Sequence, residues 1–140
     1  MRYLGLDLGT KTLGVAVSDT TLTIATTLKT IYFKENEYDQ TLSELETLIK
    51  EYSVEKIVLG FPKNMNNTVG ESGERTLMFK EMLESYFKLP VVMQDERLST
   101  VEATNYMIEA NASRKKRKIK IDSVAANIIL QTYLDKEKGR

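Results

Sequence analysis

Two short apolar runs open the chain, RYLGLDL (2–8) and TLGVAVS (12–18), with only Gly9-Thr10-Lys11 between them. Two strand-like runs around so short a Gly-containing break predict a β-hairpin. A Thr- and Ile-rich stretch over 23–32 predicts a third extended segment. Leu42, Leu45, Leu48, Ile49 and Tyr52 then recur at helical spacing and predict a helix near 38–52. KIVLGF (56–61) is stopped by Pro62 and reads as a buried strand, followed by a Gly- and Asn-rich loop over 62–73. Phe79, Leu83, Tyr86 and Phe87 mark a second helix, and LPVVMQ (89–94) a fifth strand. Thr100 is placed to cap a helix carrying Ala103, Tyr106, Met107 and Ala110. Ala125, Ile128, Ile129, Thr132 and Tyr133 mark a last helix starting near Asp122.

The order is therefore βββ-α-β-α-β-α-α. Strands 1–3 are close in sequence and should form an antiparallel meander. Strands 4 and 5 are reached through helices and should add in parallel by right-handed crossovers. This is an α/β arrangement, a five-stranded mixed sheet flanked by helices. No repeat, low-complexity tract or linker interrupts it, so one domain over 1–140 is expected.

Composition narrows the chemistry. With 140 residues, 41% hydrophobic and 29% charged, the chain suits a soluble domain with a real core. No apolar run approaches the roughly 20 residues that span a bilayer, and no secretory leader pattern opens the chain. A cytoplasmic protein that does not engage a membrane is expected. There is no Cys and no His. Disulfides, thiolate nucleophiles, imidazole bases and His- or Cys-ligated zinc are all excluded. Catalysis must rest on carboxylates, Lys, Tyr, Ser or Thr, with an oxygen-liking metal. Lys and Arg total 20, as do Asp and Glu, but they are segregated. NASRKKRKIK (111–120) holds six bases and no acid, whereas Glu35–Glu55 holds seven acids and one base, Lys50. A neutral total thus conceals a basic patch suited to polyanions.

Three carboxylate positions stand out. Asp7 ends the first strand, Glu96 with Asp95 beside it follows the fifth, and Asp122 opens the last helix on the stripe of Ala126 and Ile129. Sites in open sheets with helical crossovers form beyond the carboxyl ends of the strands. Clustered, half-buried carboxylates stay ionised only with a cation among them. Mg²⁺ or Mn²⁺ suits oxygen ligands, and a paired-metal site hydrolyses phosphodiesters without His. The plainer alternative is that Asp7 ends a strand at a turn, Asp122 is an N-cap, and Asp95 and Glu96 are surface charges. The small residues Ser123, Ala125 and Ala126 would let the last helix come close to the sheet, and Gly5 and Gly14 would permit close packing. Tyr106 and Tyr133 fall on apolar stripes and read as core.

At these residues the sequence resembles a known family. LGLDLGTKTLGVAVSD, IVLGFPKNMN, DERLSTVEA and KIDSVAANIILQTYLD are similar, in order and spacing, to the successive motifs of the YqgF/RuvX family. These are Holliday-junction-resolvase-like nucleases implicated in 5′-end maturation of pre-16S rRNA. The resemblance implies an RNase H-like fold and a catalytic, metal-binding acidic triad at Asp7, Glu96 and Asp122, with Asp95 the alternative to Glu96. The implied partners are nucleic acid, either precursor rRNA or branched DNA, and ribosomal particles. Asn67 replaces the Gly usual in the family's loop after strand 4; Asn tolerates the turn better than most residues.

Other residues fit a nucleic-acid surface. Thr10 and Lys11 would offer a hydroxyl and an ammonium, and their turn backbone N–H groups, to a phosphate. Arg114, Lys115, Lys116, Arg117 and Lys118 could grip phosphates flanking the cut as a stretch mobile until bound. Arg97 could clamp a phosphate or pair with Asp95, and Asn64 and Asn66 could contact nucleic acid or satisfy their own turn. Two other functions fit parts of the pattern. An actin- or hexokinase-like phosphotransferase also uses Asp-x-Gly-Thr but needs a second such domain. A non-catalytic nucleic-acid- or ribosome-binding protein could retain the fold, but it has no use for carboxylates facing a polyanion.

Overall fold

The computed structural model of the chain describes residues 2–35, 37–61, 71–95 and 114–137. Strands β1 (Arg2–Leu8), β2 (Thr12–Ser18), β3 (Ala25–Tyr32), β4 (Val54–Phe61) and β5 (Val91–Asp95) form one sheet in the order β3-β2-β1-β4-β5. β1–β2 and β2–β3 pair antiparallel, β1–β4 and β4–β5 parallel. The expected mixed sheet is present, with β1 at its centre. A 3₁₀ turn (Tyr38–Thr41) leads into α1 (Leu42–Glu51); α2 is Glu71–Phe87 and α3 is Arg114–Glu137.

Alternation along the strands sorts side chains to two faces. Leu4, Leu6 and Leu8 of β1 join Val15, Val17, Ile57 and Leu59 in one core against Leu42, Leu45 and Leu48 of α1 and Phe79 and Leu83 of α2. The intervening residues Tyr3, Ala16 and Val58 form a second core with Ala126, Ile129, Leu130 and Leu134 of α3. β1 is thus covered on both sides, α1 and α2 on one and α3 on the other.

Several elements differ from the sequence expectation. α3 starts at Arg114 rather than near Asp122. Its first turns contain no Gly or Pro, and Lys and Arg are good helix formers, so nothing stops the helix from extending upstream. Asp122 is therefore a helix-interior residue and not an N-cap, and the basic stretch 114–118 is helical rather than a loop. The buried stripe of α3 runs through Ala126, Leu130 and Leu134 beside Ala125 and Ile129, while Thr132 is exposed. The run Ile128-Ile129-Leu130 is apolar on every side, which blurs the periodicity that would locate the stripe. α2 begins at Glu71, inside the expected loop, and Tyr86 is half exposed, donating its hydroxyl to Glu46 Oε2 at 3.2 Å. Tyr133 is half-buried against the second core. The helix expected after Thr100, with Tyr106, lies outside the described residues. Among the described residues no helix is long and apolar enough to cross a membrane.

Polar contacts fix α3 along the sheet. The Ala25 N–H donates to Gln131 Oε1 at 2.9 Å, Gln131 Nε2 donates to the Thr23 carbonyl at 2.9 Å, and Asn127 Nδ2 donates to the Ala25 carbonyl at 3.1 Å. These two amides saturate the start of β3, an edge strand whose backbone would otherwise invite another chain. At the far end of α3, Lys56 Nζ lies 3.3 Å from Glu137 Oε2 and 4.8 Å from the centre of the Tyr3 ring, and it donates to the Tyr133 hydroxyl at 3.2 Å. Burial works to lower the pKa of this ammonium, but the hydrogen bonds to Tyr133 and Glu137 and the charge attraction outweigh it, leaving the pKa above its ordinary value.

The loop that presents Thr23 and Ala25 to α3 is organised by Asp19. Its carboxylate accepts from the Thr21 hydroxyl at 2.6 Å and from the backbone N–H groups of Thr23 at 2.8 Å and Ile24 at 3.1 Å. These bonds, the Thr21 hydroxyl first, lower its pKa from 3.8 to about 2. A depressed carboxylate pKa contributes stability that is present above pH 3.8 and lost as pH falls through about 2. Asp19→Asn should therefore melt below the wild type at neutral pH, with the gap closing as pH drops across that window. Thermal melts of both proteins between pH 7 and 2 check this; a gap independent of pH would mean that the carboxylate charge is not what holds the loop.

Candidate functional site

Because β1, β4 and β5 run parallel, their carboxyl ends at Leu8, Phe61 and Asp95 share one edge of the sheet. Asp7 is the next-to-last residue of β1 and is half-buried. Its parity with Tyr3 and Gly5 puts it on the α3 side. Directly across β2 its partner is Gly14. One step past the last β1–β4 pair, Leu6 with Leu59, comes Gly60, itself level with Gln94 of β5. Asp7 therefore stands between two glycines, in a row whose next members are Thr30 and Gln94. The rest of the strand around it is core, so this carboxylate occupies a stretch of sheet kept clear of neighbouring side chains in its own row.

α3 runs antiparallel to β1. The Tyr3 ring packs 6.1 Å from that of Tyr133, and its hydroxyl donates to Glu137 Oε1 at 3.4 Å. Gly5 lies under Ala126 and Leu130. Moving from Gly5 to Asp7 climbs about 7 Å along the strand, or four to five residues back along the helix at about 1.5 Å each. The α3 turn opposite Asp7 is thus the one containing Asp122, which is four residues before Ala126 in the row Ala126, Leu130 and Leu134.

Positions 7 and 122 are accordingly brought to the same face and the same end of the sheet. β5 ends at Asp95 on that edge. Glu96, Arg97, Asn64 and Asn66 lie outside the described residues. Thr10 and Lys11 form the exposed tip of the β1–β2 hairpin on the same rim. The Gly9 N–H is already spent on the Thr12 carbonyl at 2.7 Å, so that donor is not offered to a ligand; the Lys11 carbonyl is tied to the Phe33 N–H at 3.0 Å. A Cβ on Gly9 would sit 2.9 Å from Thr12 Oγ1, so a side chain there would oblige the Thr12 hydroxyl to rotate away. Arg114, Lys115, Lys116, Arg117 and Lys118 occupy the first turns of α3, and the stretch from 114 to 121 adds about 12 Å of helix beyond the turn facing Asp7. Of the acid-rich segment, Glu44, Glu46 and Glu51 fall on α1, which packs on the opposite face.

Sequence reading missed Gly60 as a flank of Asp7. The short run KIVLGF shows the glycine, but only the β1–β4 register reveals what it stands beside. It also missed the Lys56, Tyr133 and Glu137 contacts, which join residues far apart in sequence.

The model of the family described as RuvX, Holliday junction resolvase, matches residues 1–136. The chain belongs to this family. A RuvX relative from Bacillus subtilis (strain 168), which bears the name "Putative pre-16S rRNA nuclease", is 56% identical over 135 residues, covering 96% of this chain and 98% of that protein. One of the same name from Geobacillus sp. (strain WCH70) is 54% identical over 138 residues, covering 99% and 100%. Among solved structures, T. thermophilus RuvC in complex with Holliday junction substrate aligns with a TM-score of 0.58 at 14% identity over 99% of this chain and 96% of that one. Fowlpox virus resolvase with Holliday junction DNA aligns with a TM-score of 0.58 at 13% identity over 98% and 99%. At such identities these two establish the fold, the RNase H-like arrangement expected for the family.

Proposed function

We propose that this chain is a metal-dependent nuclease that hydrolyses phosphodiester bonds, acting in the cytoplasm as one catalytic domain on precursor 16S rRNA at its 5′ end. The observation that carries the reading is the carboxylate at position 7, set between Gly14 and Gly60 at the carboxyl edge of the sheet, beneath the α3 turn that contains Asp122. Membership in RuvX and the names of close relatives point the same way.

Asp7, Glu96 and Asp122 would hold the divalent cation, Mg²⁺ or Mn²⁺. The donor set fits: it is all carboxylate oxygen, the ligand type these hard cations prefer. Asp95, the last residue of β5, is the alternative to Glu96. The bound cation would supply an activated water and stabilise the leaving oxygen. The remaining work is done by the chain. The α1/α2 core fixes β1 and hence Asp7, and Thr10 and Lys11 on the rim face the incoming backbone. Arg97, Asn64 and Asn66 are further candidate contacts. Arg114, Lys115, Lys116, Arg117 and Lys118 form a basic arm for phosphates flanking the cut, with positions 115 and 118 on the helical stripe that leads to 122. Ribosomal particles would present such a substrate.

A second substrate, branched DNA, is favoured by the family description as Holliday junction resolvase. Incubating precursor rRNA and junction DNA side by side with the protein and Mg²⁺ or Mn²⁺ separates the two. Asp7→Asn should fold normally, since it removes one charge from a repelling cluster. It should cut at least about 100-fold more slowly, since a ligand matters more than the outer-shell partners whose loss already costs 10–100-fold. Wild-type cleavage by Asp7→Asn would refute the metal-ligand role. Cleavage of neither substrate by the wild type, with binding intact, would favour a purely binding protein.

A variant with alanine at Arg114, Lys115, Lys116, Arg117 and Lys118 should bind RNA more weakly whatever its sequence. Its plot of log K against log[salt] should flatten by roughly 0.7 per lost single-strand phosphate contact. Fluorescence anisotropy at several salt concentrations measures this; an unchanged slope would remove the arm from the binding surface.

A further inference from the structure

Gly5 marks the closest approach between β1 and α3. A Cβ built there would fall 2.6 Å from Leu130 Cβ and 3.0 Å from the Ala126 carbonyl oxygen. Neither atom is the loose end of a flexible side chain. Contacts under 3.0 Å are essentially never made by real Cβ atoms, so any side chain at position 5 obliges something to move. β1 cannot recede: it is hydrogen-bonded between β2 and β4 and backed by the fully buried Leu4 and Leu6. The helix must yield.

It cannot yield evenly. The part of α3 after Ala126 is held by Asn127 and Gln131 on β3 and by Tyr133 and Glu137 on Tyr3 and Lys56. Among the side chains described, Asn127 lies within the Gly5 contact, and Gln131, Tyr133 and Glu137 lie beyond it toward the carboxyl end of the helix. A wedge at Gly5 therefore tilts the helix about its anchored end and lifts the preceding turn, the one containing Asp122.

We propose that Gly5 is a positioning residue for the metal site: its missing side chain sets how deeply α3 sinks onto β1, and so the separation between Asp7 and the helix turn that carries Asp122. The proposal rests on the metal-nuclease reading above. A core tolerates a shift of a few tenths of an ångström at modest cost, whereas metal–ligand distances are held to about 0.2 Å. The same lift is thus far more damaging to a ligand set than to packing.

The test is calorimetric titration of the full-length protein with Mn²⁺ alone, with thermal melts to confirm folding. Wild type should bind and Asp7→Asn should not. Gly5→Ala should stay folded and lose about tenfold or more in Mn²⁺ affinity, while Leu83→Ala, which destabilises the opposite core, should stay within about twofold of wild type. Where Gly5→Ala fails to fold, Ala126→Ser, a milder wedge from the helix side, should show the same loss. Wild-type affinity in a folded Gly5→Ala or Ala126→Ser, with binding lost in Asp7→Asn, would overturn the positioning role and leave the metal reading standing. An equal loss in Leu83→Ala would overturn it as general loosening. No Mn²⁺ binding by the wild type would overturn the parent reading and the proposal together.

Discussion

The contact on which this structure turns is the seating of α3 on a strip of β1 from which a side chain is missing. Helix and sheet normally stand apart by the thickness of the side chains between them. At Gly5 there is none on the strand side, and Ala126 contributes only a methyl on the helix side. Leu130 then packs directly over the bare backbone, its Cβ where a side chain on Gly5 would begin. This sets the helix depth, and through the antiparallel run of α3 it decides which residues meet the carboxyl edge. A register shift of one helical turn would put Ala126 over Asp7 and move Asp122 beyond the edge of the sheet.

The same geometry divides the molecule by charge. β1 is central and buried on both sides, yet its two faces lead to different surfaces. The Leu4, Leu6 and Leu8 face supports α1, where acids predominate; the Tyr3, Gly5 and Asp7 face supports α3, whose leading turns are all basic apart from Ile119 and Ile121. Acidic and basic sequence is thus segregated to opposite sides of one sheet, so a neutral total coexists with strongly unlike faces.

How far the sequence revealed this differs by element. β1 and β2 were legible because their apolar runs are short, dense and separated by one tight turn. The mixed sheet followed from connection lengths. Asp7 was legible because a carboxylate in a core strand demands a reason. The start of α3 was not, because the signal sought was an apolar stripe and the first two turns have none; they are helical by continuation. The role of Gly60 was not legible either, since it depends on parallel register between strands more than fifty residues apart. The choice between Asp95 and Glu96 was open in the sequence, and Glu96 lies outside the described residues.

That a helix can begin with so much like charge follows from how helices grow. Arg114–Arg117, Arg114–Lys118, Lys115–Lys118, Lys116–Lys120 and Arg117–Lys120 are spaced i,i+3 or i,i+4. At about 0.2–0.5 kcal/mol each, five such repulsions total roughly 1–2.5 kcal/mol, and cations at a helix N-terminus add an unfavourable interaction with its dipole. An isolated peptide of this composition would not pay the nucleation cost. Here nucleation is already done. Ile129, Leu130 and Leu134 are fully buried, at roughly 1.5–3 kcal/mol apiece, and the amides of Asn127 and Gln131 lock the middle. The basic turns need only propagate, one residue at a time, from a helix fixed elsewhere. The residues that anchor α3 at its carboxyl end are therefore also what allows its basic first turns to be helical.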